Sequence, residues 1–246
     1  MKSTERHKLK ENEFARSVGR ARDLMETRKA DIGRLIFAVV VIVAIVGGYS
    51  WWRQARNAKG SAALAQGLAI YEAPVMPTAA PKPGSPMPVQ QTGTFPTDQA
   101  KLEAALPKLL EAANQYPNTD AGIAARYYAA SALAALGRYA EAEQQFQQVA
   151  EKSGSKIYGR TARLGVAEAQ VAQGKYDNAI TIYREMSAET NAQLPADGVL
   201  MSLGRAYALA GRKDEAARAY TRIVDEFPLS PYAADAKREL EGVKKG

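Results

Sequence analysis

Three six-residue stretches recur 37 residues apart: GRYAEA from Gly137, GKYDNA from Gly174 and GRKDEA from Gly211. The register runs past these letters, since Ala142, Ala179 and Ala216 align, as do Phe146, Tyr183 and Tyr220. A constant period of this size constrains the fold more than any other feature of the chain. It calls for one supersecondary unit stacked repeatedly, not a single globular core. Stacked units share a continuous core and leave extended faces that hold other proteins.

The third copy, about residues 197–230, is the fullest. It carries Leu200-x-x-Leu203-Gly204-x-x-Tyr207, then Gly211, Ala216, Tyr220 and Pro228. The letters have a physical reading. Gly204 and Ala216 keep two antiparallel helices close, Tyr207 and Tyr220 fill the space beside them, Gly211 ends the first helix and Pro228 the second. This pattern resembles the tetratricopeptide repeat, with Leu200 in place of the usual Trp and Lys213 where an aromatic is common. The copy at about 123–156 has Ala129, Ala130, Leu133, Gly137, Tyr139, Ala142 and Phe146. The copy at about 160–193 has Val166, Ala167, Gly174, Tyr176, Ala179 and Tyr183, with Gln170 at a usually aromatic position. The extra residues over the common period of about 34 fit connections near Ser153–Ser155 and Gln193–Pro195. Residues 231–243, with Ala233, Ala236 and Leu240 on one side, read as a capping helix. The expected fold is all-α: an N-terminal single transmembrane helix, then an α-solenoid of these repeats closed by the cap.

The transmembrane expectation rests on Leu35–Trp52, LIFAVVVIVAIVGGYSWW, which carries no charge. Counted from Ile32, with Arg34 snorkelling to the interface, it is long enough to cross a bilayer. Ten of its residues are Leu, Ile, Val or Phe. At about −0.3 to −0.6 kcal/mol each, they favour insertion by roughly 3–6 kcal/mol. Tyr49, Trp51 and Trp52 form an aromatic belt at one end, followed by Arg53. A cleaved signal peptide fits poorly, because 34 residues precede the apolar run and no small-x-small site follows it. Arg16, Arg20, Arg22, Arg28, Lys29 and Arg34 precede the span, and Arg53, Arg56 and Lys59 follow it. This bias places the N-terminus in the cytoplasm and the repeats outside.

The expected domains are a cytoplasmic tail (1–31), the span (32–52), a juxtamembrane helix (53–72), a Pro-rich segment (73–97) and the repeat domain (98–246). In the tail, Phe14, Val18, Ala21 and Met25 share a helical face, which suits a basic amphipathic helix on an anionic leaflet. A solvated tail that only satisfies the charge rule is the alternative. The Pro-rich segment holds seven of the twelve prolines. As polyproline II its 25 residues would reach up to about 75 Å. Leu64, Leu68 and Tyr71 lie on one helical face before it, and Ala105, Leu109 and Ala112 keep the repeat's spacing after it. The insertion therefore interrupts a first helix pair in this reading.

The net charge of +7 resolves by region: +4 in residues 1–34, +3 in residues 53–97, and zero in residues 98–246 with nineteen bases and nineteen acids. Nucleic-acid binding calls for a basic stripe on the folded part, so no nucleic-acid partner is expected. Cysteine is absent, which excludes disulfides and thiolate metal sites. The only histidine, His7, is in the tail. With no HExxH, P-loop or GxSxG motif, no catalytic residue, metal site, cofactor or small-molecule substrate is expected, and the chain does not read as an enzyme.

In this repeat class the first helices line the concave face. The fifth residue of each gives an apolar column, Tyr127, Leu164 and Met201; the ninth gives Ser131, Glu168 and Arg205. These six are the expected partner-binding residues, and Arg34, Tyr49, Trp51, Trp52 and Arg53 the expected membrane-interface residues. A groove of this kind suits an extended peptide or a partner helix. The Lys/Asn clamp with which some relatives grip a C-terminal carboxylate is missing at these positions.

From about Asp31 the plan resembles the bacterial ancillary translocon subunit family, the YfgM type. That resemblance implies a bacterial inner-membrane protein with periplasmic repeats, docked beside the SecYEG channel and in contact with chaperones. The Pro-rich insertion departs from the compact family plan. The functional expectation is a membrane-tethered scaffold that assists export or envelope assembly, with exported clients, translocon or assembly components, chaperones and membrane lipid as partners. A fixed structural subunit of an envelope complex is one alternative; the same scaffold with cytoplasmic repeats is another.

Overall fold

The computed structural model describes residues 29–77, 91–154, 157–189 and 195–245. Among them lie nine α-helices and no named strand: α1 Lys29–Tyr71, α2 Asp98–Gln115, α3 Asp120–Ala135, α4 Tyr139–Ser153, α5 Ile157–Ala172, α6 Tyr176–Ala188, α7 Ala196–Leu209, α8 Lys213–Glu226 and α9 Ala233–Lys245. The N-terminal amphipathic face, Phe14 to Met25, and His7 lie outside the described residues.

The chain divides into two compact units at Ala55. The described part of the first is the apolar stretch of α1. Its side chains, including Leu35, Phe37, Ile42, Val46, Trp51 and Trp52, are exposed. The span and the juxtamembrane helix, expected as separate elements, are parts of one continuous helix. Residues 53–66 contain no Pro and are rich in Ala, Arg and Gln, so nothing breaks the backbone ladder there.

The second unit, from Arg56, is a stack in which consecutive helices from α2 to α9 pack on one another, and α3 also packs on α5. Three turns set its repeat. Gly137, Gly174 and Gly211 adopt φ of 74°, 74° and 75°, the left-handed region that glycine enters without penalty. Each carries the same pair of closing hydrogen bonds. Arg138 N–H donates to the Leu133 carbonyl at 2.8 Å, Lys175 to Gln170 at 2.8 Å and Arg212 to Tyr207 at 2.9 Å. Gly137, Gly174 and Gly211 donate to the carbonyls of Ala134, Val171 and Ala208. These are Schellman closures, which satisfy carbonyls the helix end would otherwise orphan.

Between the turns, small residues are the contact points. Ala142, Ala179 and Ala216 are fully buried, and Phe146, Tyr183 and Tyr220 fill the adjoining space. A Cβ placed on Gly204 would come within 2.4 Å of the Tyr220 ring, so only glycine lets α7 approach α8 this closely. Each fully buried large side chain contributes about 1.5–3 kcal/mol. Polar locks join neighbouring helices as well. Buried Arg126 on α3 donates to Gln145 Oε1 at 2.6 Å, Asn114 Oδ1 at 2.7 Å and the Ala113 carbonyl at 3.3 Å. Its burial lowers the guanidinium pKa. One period later, Arg163 pairs with Glu189 at 2.7 Å and Glu185 at 2.9 Å.

The distal part of α1 belongs to this stack. Its packed face is Gly60, Ala63, Leu64, Gly67, Ile70 and Tyr71, of which the two glycines are buried and the rest, like Leu68, half-buried. A Cβ on Gly67 would meet Leu109 Cδ2 at 2.6 Å, the same relationship that joins Gly204 to Tyr220. The Pro-rich segment leaves and returns at one place. Val75 bridges Phe95, with Met76 N–H donating to the Phe95 carbonyl at 2.8 Å and Phe95 N–H to the Pro74 carbonyl at 3.1 Å. That pairing sets the segment's two ends side by side, so they are not held about 75 Å apart; residues 78–90 between them lie outside the described residues. Pro107 lies inside α2 on its exposed side, and Tyr116 and Pro117 end that helix.

Candidate protein-binding groove

Four of the expected contact residues meet in one groove of about 470 Å³ between α3, α4 and α5. Tyr127 and Ser131 come from α3, one turn apart, and Leu164 and Glu168 from α5, also one turn apart; Tyr139 and Phe146 of α4 complete the lining. Gly165 explains the closeness of α5 to α4, since a Cβ there would lie 2.8 Å from the Phe146 ring. That glycine is outside the repeat signature, and sequence reasoning passed over it.

Tyr127 is the hub of an aromatic cluster. Its ring meets Phe146 at 5.7 Å, Tyr158 at 5.5 Å and Tyr128 at 5.8 Å, all edge-on. Tyr71 of α1 adds to it through Tyr128 at 5.5 Å. Edge-on rings pair a positive rim with a negative face, at about 0.5–1.5 kcal/mol per pair beyond burial. Burial pushes the Tyr127 phenol above its ordinary pKa, and the charge of Glu168 adds to the shift. Ser131 Oγ donates to the Tyr127 carbonyl at 3.1 Å. Glu168 is exposed on α5 at the side of the groove, and partial desolvation by the neighbouring walls raises its carboxyl pKa.

The other two expected residues are not in this groove. Met201 is only 1% exposed and belongs to the core cluster that α5–α9 share, so its place in a surface column is corrected. The unbranched Met fills space between packed helices. Arg205 is exposed on α7, and its charge partly offsets the burial that pushes the Tyr220 phenol up to about 12.

A second cleft, of about 680 Å³, opens between α6, α7 and α8. Arg184, Arg212, Arg218 and Arg222 line it above Leu203 and Tyr207. Arg212 stacks 4.9 Å from the Tyr207 ring centroid and pairs with Glu215 at 2.8 Å and Asp177 at 3.3 Å. Arg222 pairs with Glu226 at 2.8 Å. No sequence signal pointed here, because the repeats as a whole are neutral.

The expected membrane-interface residues lie along α1. Arg34 pairs with Asp31 at 3.3 Å, the Tyr49 and Trp52 rings are 6.1 Å apart, and Trp51 and Arg53 are exposed. Among the described residues α1 alone is long and apolar enough to cross a membrane, with a mean hydropathy of 2.2 over its best window. No cluster of three or more His, Cys, Asp or Glu side chains suited to a metal occurs among the described residues.

An all-α solenoid with an open groove and short, glycine-closed turns defines a protein-interaction scaffold. A family profile described as a tetratricopeptide repeat-like domain matches residues 31–234, so it includes the apolar part of α1 as well as the repeats. The chain belongs to that family. Among solved structures it is similar to the nearly identical TPR-like repeats of a protein assigned as a kinesin light chain from Podosopora anserina. That match has 18% identity and a TM-score of 0.51, over 59% of this chain and 78% of the other. A single-substitution variant of the same fungal protein matches at 19% identity and TM-score 0.52 over the same shares. At these identities the likeness concerns the fold alone. No curated protein matches the chain.

Proposed function

We propose that this protein is a membrane-tethered interaction scaffold. Its α1 segment anchors it in the bacterial inner membrane with the N-terminus in the cytoplasm, and its repeats work on the outer face. There they hold extended segments of other proteins during export or envelope assembly, as the resemblance to the ancillary translocon subunit family implies. Translocon components, chaperones and exported clients are the partners this reading calls for. The observation that carries it is the groove of about 470 Å³ lined by Tyr127, Ser131, Leu164 and Glu168. Its mixture of rings, an aliphatic side chain and isolated polar groups suits a peptide in extended form.

In vivo photo-crosslinking from Tyr127 and Leu164 tests the reading. Adducts well above those from exposed Lys213 are expected; equal yields would remove the groove from consideration. A single stoichiometric partner retained through detergent purification would instead favour a fixed structural subunit. Orientation is tested separately, with Ser3→Cys and Lys213→Cys labelled by an impermeant thiol reagent. Labelling of the first but not the second in intact spheroplasts would place the repeats in the cytoplasm.

A further inference from the structure

We infer that the α3–α5 groove selects a partner segment carrying a lysine or arginine, whose cationic end meets Glu168 between the aromatic walls of Tyr127, Tyr139 and Phe146. The inference rests on the groove being a docking site and names what it prefers.

The lining is chemically lopsided. It contains three aromatic rings, Leu164, Ser131 and one acid, and no Lys or Arg. An occupant that covered the groove would strip water from this exposed carboxylate, a cost that a paired cation offsets. Four acids of the solenoid have close basic partners: Glu141 with Arg138 at 2.6 Å, Glu143 with Lys175 at 3.0 Å, Glu215 with Arg212 at 2.8 Å and Glu226 with Arg222 at 2.8 Å. In those four the partner holds the carboxyl below its ordinary range. Glu168 makes no hydrogen bond or ion pair among the described residues, and its shift runs the other way, from burial alone.

An incoming cation supplies what is missing. Ring faces attract a cation electrostatically, more strongly where water is excluded. The aliphatic stem of Lys or Arg covers apolar surface such as Leu164 while its charged end reaches the carboxylate. An acidic segment would meet Glu168 with no base in the lining to offset it. A purely apolar segment would leave the carboxylate desolvated and unpaired. The charge complementarity therefore favours one occupant.

The test uses the full chain in detergent micelles at low ionic strength. Fluorescein-labelled pools of nine-residue peptides alternate serine with mixed apolar residues around a fixed centre: arginine, its neutral isostere citrulline, or glutamate. Fluorescence anisotropy should show the arginine pool binding about fivefold or more tighter than the citrulline pool. Glu168→Gln should remove that difference between the arginine and citrulline pools; Glu168→Ser, as a second variant, should do the same. Circular dichroism checks that both variants fold. Equal binding of the arginine and citrulline pools overturns the inference and leaves the docking reading standing, as does arginine preference that survives Glu168→Gln. Preference for the glutamate pool means an acidic occupant and overturns it too. If no pool binds, both readings fall; self-association that excludes every pool would assign the groove to a second copy of the chain, with the same result.

Discussion

Gln170 on α5 donates from Nε2 to Glu143 Oε1 on α4 at 2.8 Å, in the buried seam between the first and second repeats. Gln173 at 2.8 Å and Lys175 at 3.0 Å hold the other carboxylate oxygen. Burial alone would raise the Glu143 pKa, but these donors outweigh it and hold the carboxyl below its ordinary range. One period on, the corresponding positions are Ile180 and Tyr207, both buried and apolar. Gln170, which departs from the repeat pattern, is therefore half of a paired exchange: a carboxylate at one position requires an amide at the other.

Gln170→Leu should cost about 1–3 kcal/mol, since it strips a donor from a buried charge. For a unit of this size that lowers the melting temperature by about 2–4 °C per kcal/mol. Gln170→Tyr should cost a similar amount, and adding Glu143→Ile to it, which copies the second seam, should recover most of that loss. A double-mutant cycle by thermal denaturation measures the coupling.

The same cluster makes stability depend on acid. A depressed carboxyl pKa in the folded state stabilises fully above the unfolded Glu value of about 4.3. The contribution is lost as pH falls through that value and on through the lower folded one. The stability gap between the parent and Glu143→Gln should thus narrow from pH 7 towards pH 3, with melting curves as the readout.

Two glycines should respond in opposite ways to alanine. Gly204→Ala places a methyl 2.4 Å from the Tyr220 ring and should destabilise by about 1–3 kcal/mol. Gly242→Ala, in α9 with nothing within 4 Å, should stabilise by about 0.5–1 kcal/mol through helix propensity. Chemical denaturation of each variant gives the comparison.

The pairing of Val75 with Phe95 joins the two ends of the Pro-rich segment, which predicts that the solenoid does not need the residues between them. Replacing residues 79–90 with six Gly/Ser residues should change stability by no more than about 0.6 kcal/mol, the loop-entropy effect of halving a loop. A loss of several kcal/mol would mean the segment packs on the stack.

The proposed anchoring by α1 predicts a strong position effect. Val43→Arg near the centre of the apolar run adds roughly 3 kcal/mol to the cost of insertion. Carbonate extraction should release a larger fraction of this variant than of Trp51→Arg at the rim.

The repeat register was legible because turns depend on local backbone chemistry: a left-handed position at Gly137, Gly174 and Gly211 demands the same residue each time. Burial is a different matter. Tyr127 and Met201 hold equivalent positions, yet one borders a groove and the other is in the core, because packing depends on what lies above a helix and the register is silent on that. Gly60 and Gly67 sit beyond the readable copies, so the sequence reading of α1's packed face found Leu64 and Tyr71 and missed the glycines beside them. The arginine cleft draws its lining from three helices, and a charge count over the whole domain averages it away.

Repeat chains have a characteristic folding error, in which units stack out of order by one period. Here the mistake would be penalised at the seam. Stacking α4 on α7 instead of α5 would set the Glu143 carboxylate against Tyr207 and Ala210 in place of the amides of Gln170 and Gln173, with Arg212 standing where Lys175 does. Losing the two amide donors at a buried carboxylate costs about 1–3 kcal/mol, which disfavours the slipped stack although its turns would close equally well. The turns make the units alike; the carboxylate tells the first from the second, and so keeps count.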